Sequence, residues 1–165
     1  MLSKVISGGQ TGADEAGLFA AEKVGIKTGG WMPFGLKRET SDITGEALAK
    51  RFGLLEHASR QYSARTRKNA HFSDGTVIIS ADMKSPGTIC TIGACDLYEK
   101  PWIDIFPFND EMNNLLQRER FINWILNENI GVLNVAGNRE SKFPGIRNWA
   151  YTFLVDVFER VQKEH

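Results

Sequence analysis

The order of strand-like and helix-like segments predicts an α/β domain with a mainly parallel sheet. Short apolar runs, such as KVIS at 4–7 and TVIIS at 76–80, alternate along the chain with segments of helical periodicity. Glycine and small polar residues separate these segments, and no repeat, low-complexity segment or domain linker interrupts them. Strands that alternate with helices are typical of a parallel sheet, because each parallel strand needs a crossover to reach the next.

Each predicted strand is a short apolar run bounded by turn residues, and each predicted helix has apolar residues every three to four positions. The strands are expected at residues 4–7, 26–29, 54–57, 76–80, 101–106 and 131–137. The first helix follows the first strand and ends at residue 24, and the others are expected at 46–53, 63–73, 88–100, 111–127 and 143–162. Residues 31–42 (WMPFGLKRETSD) are predicted to form a polar loop.

Composition limits the possible partners. A chain of 165 residues with 42% hydrophobic content suffices for one domain over residues 1–165, burying roughly 70% of its unfolded surface. The formal net charge is zero and the one basic cluster is RTRK at 65–68, so we expect no long nucleic acid as a partner. No apolar stretch approaches the roughly 20 residues of a membrane span, and no signal-peptide pattern is present. We therefore expect a cytoplasmic protein without a membrane partner.

The cysteines and histidines do not form a metal-binding pattern. Cys90 and Cys95 lie on one predicted helix, about 140° apart around its axis, so they cannot chelate one metal ion together. His57, His71 and His165 have no metal-ligand spacing with the cysteines or with each other. We expect no metal ion ligated by the protein.

The stretch SGGQTGAD at 7–14, here called the glycine turn, joins the first strand to the first helix. Its glycines allow positive φ angles and close approach to the backbone, and the N–H groups of a helix's first turn can bind an anion. The stretch matches neither G-x-G-x-x-G nor the P-loop pattern, and TGGWMP at 28–33 stands where a dinucleotide site has an acidic residue. The glycine turn is therefore either an anion cradle or a tight strand-to-helix turn.

Two further loops share this chemistry, one after TVIIS and one after GVLNVAG. Loops that leave the carboxyl ends of parallel strands lie at one edge of the sheet, so we expect the three to surround one pocket. All three contain glycines and small hydroxyl or amide side chains, and Arg139 adds a planar guanidinium suited to phosphate. This predicts a phosphorylated or nucleotide-like ligand. The ligand-binding residues predicted in these loops are Gly8, Gly9, Gln10, Thr11, Gly12, Asp14, Ser85, Gly87, Thr88, Gly137, Asn138, Arg139, Glu140 and Ser141.

Three further candidates lie outside the loops. Trp31, at the end of the second strand, is expected either to stack on a planar heterocycle or to cap the core. Tyr62, Arg65 and Asn69 share one face of a predicted helix at spacings of three and seven residues. We assign Arg65 and Asn69 to the ligand, with an ordinary solvated helix face as the alternative.

Several segments resemble a known family. ISGGQTGAD, GGWMP, QYSARTRKNAHFSDGTVI, the GT of SPGT, KPW and NVAGNRESKFPGI look like successive landmarks of the "putative molybdenum cofactor carrier" family, a circularly permuted YpsA-type branch of the SLOG superfamily. The resemblance covers nearly the whole chain. It implies a Rossmann-like three-layer sandwich, a homo-oligomer (dimer or tetramer), and a carried ligand in the glycine-rich loops. That ligand would be the molybdenum cofactor, a pyranopterin phosphate.

Related SLOG enzymes that cleave nucleoside monophosphates provide the enzymatic alternative. Their motif is G-G-x-G-T-x-x-E, and aligning its Gly-Thr with Gly87 and Thr88 puts Thr91 at the glutamate position. A threonine hydroxyl cannot supply the negative charge that favours an oxocarbenium-like transition state. Asp14 or Glu140 could replace the glutamate only if its side chain projects into the pocket. The sequence therefore favours a carrier over a hydrolase or a nucleotide sensor, and leaves pterin and purine ligands open.

Overall fold

A computed structural model of the chain describes residues 1–107 and 109–164. The strands are β1 (Lys4–Ser7), β2 (Lys27–Gly29), β3 (Trp31–Met32), β4 (Leu55–Glu56), β5 (Gly75–Ile79), β6 (Trp102–Ile105) and β7 (Val132–Gly137). The helices are α1 (Ala13–Val24), α2 (Gly45–Phe52), α3 (Tyr62–His71), α4 (Pro86–Leu97), α5 (Glu111–Asn127) and α6 (Ile146–Lys163), with a 3-10 turn at Phe34–Leu36.

Five strands form a parallel sheet in the order β2-β1-β7-β5-β6. The last strand in the chain, β7, therefore lies at the centre and pairs with β1 on one side and β5 on the other. Helices α1, α5 and α6 pack together, as do α3 and α4, so that helices flank the sheet. The predicted α/β fold with a parallel sheet is confirmed, and its architecture is Rossmann-like.

Successive side chains along a strand point to opposite faces of the sheet, so the sheet has a different apolar region on each face. Val5, Val77 and Val135 are fully buried or nearly so and belong to the large core, which also holds side chains of α1, α5 and α6. Cys95, a free thiol on α4, belongs to a smaller cluster with residues of α3. Thr76 of β5 hydrogen-bonds to the Cys95 thiol, and burial raises the pKa of that thiol. The sheet thus separates the large core from the smaller cluster that α3 and α4 form.

Three local features differ from the sequence prediction. Residues 31 and 32, predicted to lie in a loop, form β3, which pairs in parallel with β4 as a separate two-stranded sheet. Helix α4 begins two residues earlier than predicted, because Ser85 caps it and Pro86 is tolerated at a first helical position. Helix α6 begins at Ile146, because Gly145 before it has a φ of 91°.

The part of the chain that the structure describes has neither a metal-binding cluster nor a membrane-spanning helix. Within residues 1–107 and 109–164, no three His, Cys, Asp or Glu side chains are grouped so that they could hold a metal ion. His165 lies outside the described residues. No helix in those two ranges combines the length and apolar character needed to cross a membrane.

Candidate functional site

The three predicted loops meet at the carboxyl ends of β1, β5 and β7. The Asn138 N–H donates to Ile79 O (2.9 Å), and Asn138 O accepts from the Ala13 N–H (3.1 Å). The Asn138 side-chain oxygen accepts from the Ala81 N–H (2.8 Å). Asn138 therefore joins the glycine turn, the β5–α4 loop (residues 80–85) and the β7–α6 loop (residues 138–145). The convergence predicted from the strand order is present at one edge of the sheet.

Two glycines of the glycine turn make room for different neighbours. Gly12 has a φ of 81°, and a Cβ built on it would lie 2.4 Å from Asn138 O. Here the glycine permits close packing of two backbones, as in a tight turn. A Cβ on Gly8 would lie 1.6 Å from an Arg65 guanidinium nitrogen. The second glycine therefore admits a cation from α3 to the surface of the turn.

Glu39 lies over the site, on the segment between β3 and α2 that we call the Glu39 loop (residues 33–44). Its Oε2 accepts from Thr11 Oγ1 (2.6 Å), and its Oε1 accepts from Ser141 Oγ (2.5 Å) and Arg139 NH1 (3.4 Å). Burial by itself would raise the pKa of Glu39. The hydrogen bonds from Ser141 and Thr11 and the charge of Arg139 outweigh burial, so the pKa lies below its usual value. We call these three donors the anion subsite, because they converge on one ionised carboxylate.

Gln10 connects the glycine turn to the Glu39 loop and retains an unpaired donor. Its Oε1 accepts from the Thr11 N–H (3.0 Å) and the Glu39 N–H (2.8 Å). The residue is 5% exposed, and its Nε2 is buried without a hydrogen-bond partner among the described residues. An unsatisfied buried donor costs about 1–3 kcal/mol, so Nε2 is a position at which a ligand acceptor would be stabilising.

Asp14 and Arg65 form a partly buried ion pair beside the glycine turn. Asp14 Oδ2 lies 3.4 Å from Arg65 NH1 and accepts from the Gln10 N–H at 3.3 Å. Burial raises the pKa of Asp14, opposed by the Arg65 charge, the Gln10 hydrogen bond and the more distant charges of Arg139 and Arg38. The pair ties α3 to the start of α1.

A buried charge network holds the Glu39 loop in place. Arg38 pairs with Glu15 of α1, and both side chains are 2% exposed. Glu15 also lies 3.2 Å from Arg147 Nε of α6, which completes the network, whereas Asp42 is 69% exposed and contacts Arg147 only at the surface, at 3.4 Å. Sequence reasoning missed Glu39 and this network. Their sequence signal is the charged run KRE at 37–39, which does not reveal that the loop folds back over the glycine turn.

Two of the predicted site residues have their polar atoms paired to backbone. The Glu140 carboxylate accepts from the Gly145 N–H (2.5 Å) and the Arg147 N–H (3.0 Å), so it caps the start of α6. The Asn69 amide accepts from the Trp31 N–H and donates to Trp31 O, both at 3.0 Å. These side chains hold β3 and α6 in position next to the site.

The β5–α4 loop and the start of α4 contain a network of hydroxyl groups. Ser85 Oγ donates to Thr88 Oγ1 (2.9 Å), which is also 3.3 Å from Ser80 Oγ. Thr91 Oγ1 donates to Gly87 O (3.1 Å), so the hydroxyl at the glutamate position bonds back to its own helix. A Cβ on Gly87 would meet nothing within 4 Å, so Gly87 faces open space.

Tyr62, rather than Trp31, is the aromatic residue in contact with Arg65 and Arg139, the two arginines predicted to bind the ligand. Its ring centroid lies 5.7 Å from Arg65 Cζ and 5.9 Å from Arg139 Cζ, and the residue is 41% exposed. The Trp31 ring instead packs against Phe72, with ring centroids 4.9 Å apart, and against Lys68 Nζ at 5.1 Å. Which of two aromatic residues approaches the loops depends on how α3 packs.

Two surface cavities lie away from the three loops. One of about 410 Å³ is bordered by α1, α2 and α6, and the other, of about 370 Å³, is lined mostly by α3 with His57 and Tyr98. No residue of the anion subsite lines either cavity. The donors of the subsite are instead covered by Glu39 in the described structure.

A parallel sheet with flanking helices and three polar loops at its carboxyl edge places the chain in the class of Rossmann-like α/β domains. The sequence pattern described as the circularly permutated YpsA SLOG family matches residues 5–158, and the chain belongs to this family.

One solved structure is similar over almost its full length. It is a crystal structure at 1.45 Å resolution of a protein from Syntrophus aciditrophicus SB named "Putative molybdenum carrier protein", which is 37% identical to this chain. The match covers 95% of this chain and 94% of that one, with a TM-score of 0.83. None of the curated proteins compared with the chain matches it. The family resemblance inferred from the sequence is confirmed.

Proposed function

We propose that this protein is a carrier that binds a phosphorylated heterocycle, the molybdenum cofactor, at the carboxyl edge of its sheet. The observation that carries the proposal is the convergence of Thr11, Arg139 and Ser141 on a single carboxylate. Two hydroxyl donors and a guanidinium are the groups that also bind phosphate oxygens. The name of the 37% identical Syntrophus protein supports the choice of a molybdenum-related ligand.

Each part of the ligand has a proposed partner. The phosphate would bind the anion subsite, and the Arg65 guanidinium, which Gly8 admits to the surface of the glycine turn, would add a second cation. The heterocycle would stack on Tyr62, whose ring is partly exposed beside Arg139. The buried Gln10 Nε2 would donate to an acceptor of the ligand. In this proposal Asn138, Gly137, Asn69 and Glu140 act indirectly, by holding the loops in position.

The hydrolase alternative has less support from the contacts. Thr91 has no carboxylate and its hydroxyl donates to Gly87 O. Asp14 pairs with Arg65, and both oxygens of Glu140 accept from backbone N–H groups of the α6 start. Each group that could replace the missing glutamate therefore already has a partner. Binding without bond cleavage requires none of them as an acid or base.

We further propose that the protein is a cytoplasmic homo-oligomer, a dimer or tetramer. An apolar face on α5 supports association of copies, because Met112, Leu115 and Leu116 are 65%, 45% and 60% exposed. Light scattering coupled to gel filtration measures the mass directly. A mass equal to that of one chain at all concentrations would contradict the oligomer.

Mass spectrometry of the ligand released from unheated, purified protein tests the function. We expect a pterin phosphate in near-stoichiometric amount. If the purified protein releases no ligand, calorimetric titration with pterin phosphate and with a panel of nucleoside monophosphates measures binding instead. Chromatography of the titrated samples detects any free base. Turnover of a nucleoside monophosphate, abolished in Asp14→Asn or Glu140→Gln, would overturn the carrier proposal in favour of the hydrolase.

A further inference from the structure

We propose that Glu39 is an internal competitor for the ligand's phosphate and thereby determines which anions the site accepts. The inference rests on the proposed function, and it adds a specificity-determining residue that the sequence did not reveal. In the described structure the Glu39 carboxylate accepts from all three donors of the anion subsite. A phosphate can engage these donors only after the carboxylate leaves them.

The anchors of the Glu39 loop allow the carboxylate to leave while its backbone stays in place. The Glu39 N–H donates to Gln10 Oε1 (2.8 Å), and the neighbouring Arg38 is held in a buried pair with Glu15. Arg38 NH1 also donates to Ile43 O (3.0 Å), which closes the loop on itself. The Glu39 side chain is itself 23% exposed. Rotation about its side-chain bonds therefore suffices to move the carboxylate into water.

Exchange of one anion for another makes the site selective. A neutral ligand provides no charge to replace the carboxylate at Arg139, so the subsite would keep Glu39 bound. A phosphomonoester has nearly two negative charges and three acceptor oxygens, and therefore outcompetes a single carboxylate. In the empty protein the Glu39 carboxylate keeps the Arg139 guanidinium paired.

Calorimetry with inorganic phosphate and with adenosine monophosphate tests the competition directly. Glu39→Gln keeps the shape of the side chain and removes its charge. We expect this variant to bind both probes at least about tenfold more tightly than the wild type does, because the phosphate no longer displaces a charge-assisted contact. Asp42→Asn is the matched control, because Asp42 is an acid of the same loop that contacts Arg147 and not the subsite. We expect its affinity to stay within about twofold of the wild type.

The direction of the change separates competition from a structural role. A residue that only supports the loop would weaken binding when it is changed, whereas a competitor tightens it. Glu39→Ala should also bind more tightly, and thermal melting of each variant verifies that it is folded. Equal or weaker binding by a folded Glu39→Gln or Glu39→Ala overturns the competitor role and, if the wild type binds, leaves the proposed function intact. If neither the wild type nor the variants bind any phosphorylated probe, the competitor role and the phosphate site both fail.

Discussion

The start of α1 and the start of α4 contain the same kinds of residue and use them differently. At the glycine turn, the Thr11 hydroxyl donates to a carboxylate from a distant segment, Glu39. At α4, the hydroxyls of Ser85 and Thr88 bond to each other, and Ser85 caps the helix. The hydroxyl of the glycine turn bonds to a charged group, whereas the two hydroxyls at α4 bond to a neutral one. Small hydroxyl residues after a parallel strand therefore pair either with an ionic group from another segment or with one another.

The contrast is sharpest at the glycines of the two regions. We expect Gly12→Ala to destabilise the fold by about 2–4 kcal/mol, because φ is 81° and the new Cβ would lie 2.4 Å from Asn138 O. Gly87→Ala is the matched control, since it faces open space inside a helix and is expected to stabilise by about 0.5–1 kcal/mol. Urea unfolding measures both. Equal effects would remove the distinction between the two regions.

Arg139→Ala is expected to have the largest effect on binding without unfolding the protein. Loss of a guanidinium–phosphate contact costs about 1.5–3 kcal/mol, or roughly 10- to 150-fold in affinity. Calorimetry should show this loss for adenosine monophosphate and little change for adenosine. Arg118→Ala, on α5 and paired with Glu111, provides a control substitution of the same type. Equal losses for the two ligands would show that Arg139 does not contact the phosphate.

Ser85→Ala tests the structural role of the α4 region. The Ser85 side chain accepts from the Thr88 N–H at 3.4 Å, and loss of an N-cap costs about 1 kcal/mol of folding stability. We expect the affinity for phosphorylated ligands to remain unchanged within about twofold. A loss of binding free energy that exceeds the loss in free energy of unfolding would show that the β5–α4 loop also contacts the ligand.

Tyr62→Ala is expected to weaken ligand binding by about 0.5–1.5 kcal/mol, because it removes a ring available for stacking beside Arg139. Tyr62→Phe retains the ring and should retain the affinity. Fluorescence titration with a pterin phosphate measures both variants. If Tyr62→Phe loses as much affinity as Tyr62→Ala, the hydroxyl rather than the ring contacts the ligand.

The smallest expected effect is on the pH dependence of stability. The pKa of Glu39 is lowered from 4.5 in the folded protein, so its stabilising contribution is fully present above pH 4.5 and is lost as the pH falls through the folded pKa. The difference in free energy of unfolding between wild type and Glu39→Gln should therefore shrink below pH 4.5. A difference that grows on acidification would show that Glu39 is not held as a carboxylate by its donors.

Most strands and helices were accessible from sequence because they follow from local patterns, although the starts of α4 and α6 were predicted two residues too late and three residues too early. The apolar run before the glycine turn marks β1, and the parallel topology puts its carboxyl end beside the ends of β5 and β7. The short strand β3 was not predicted, because two residues have no periodicity and pair only with β4, another short segment. That Tyr62 lies beside Arg139 while Trp31 packs against Phe72 follows from the packing of α3.

The α/β class and the three loops can be read from the amino-acid sequence, because strand periodicity, glycine positions and turn residues act over a few neighbouring positions, and the family follows from the resemblance of several segments. The central position of β7 and the contacts of Glu39 with Thr11, Arg139 and Ser141 become visible only in the folded chain. Glu39 is 28 residues from Thr11 and 102 from Ser141 along the chain. Contacts over such separations depend on how the loop is anchored by buried charges such as Glu15, and no local pattern encodes that.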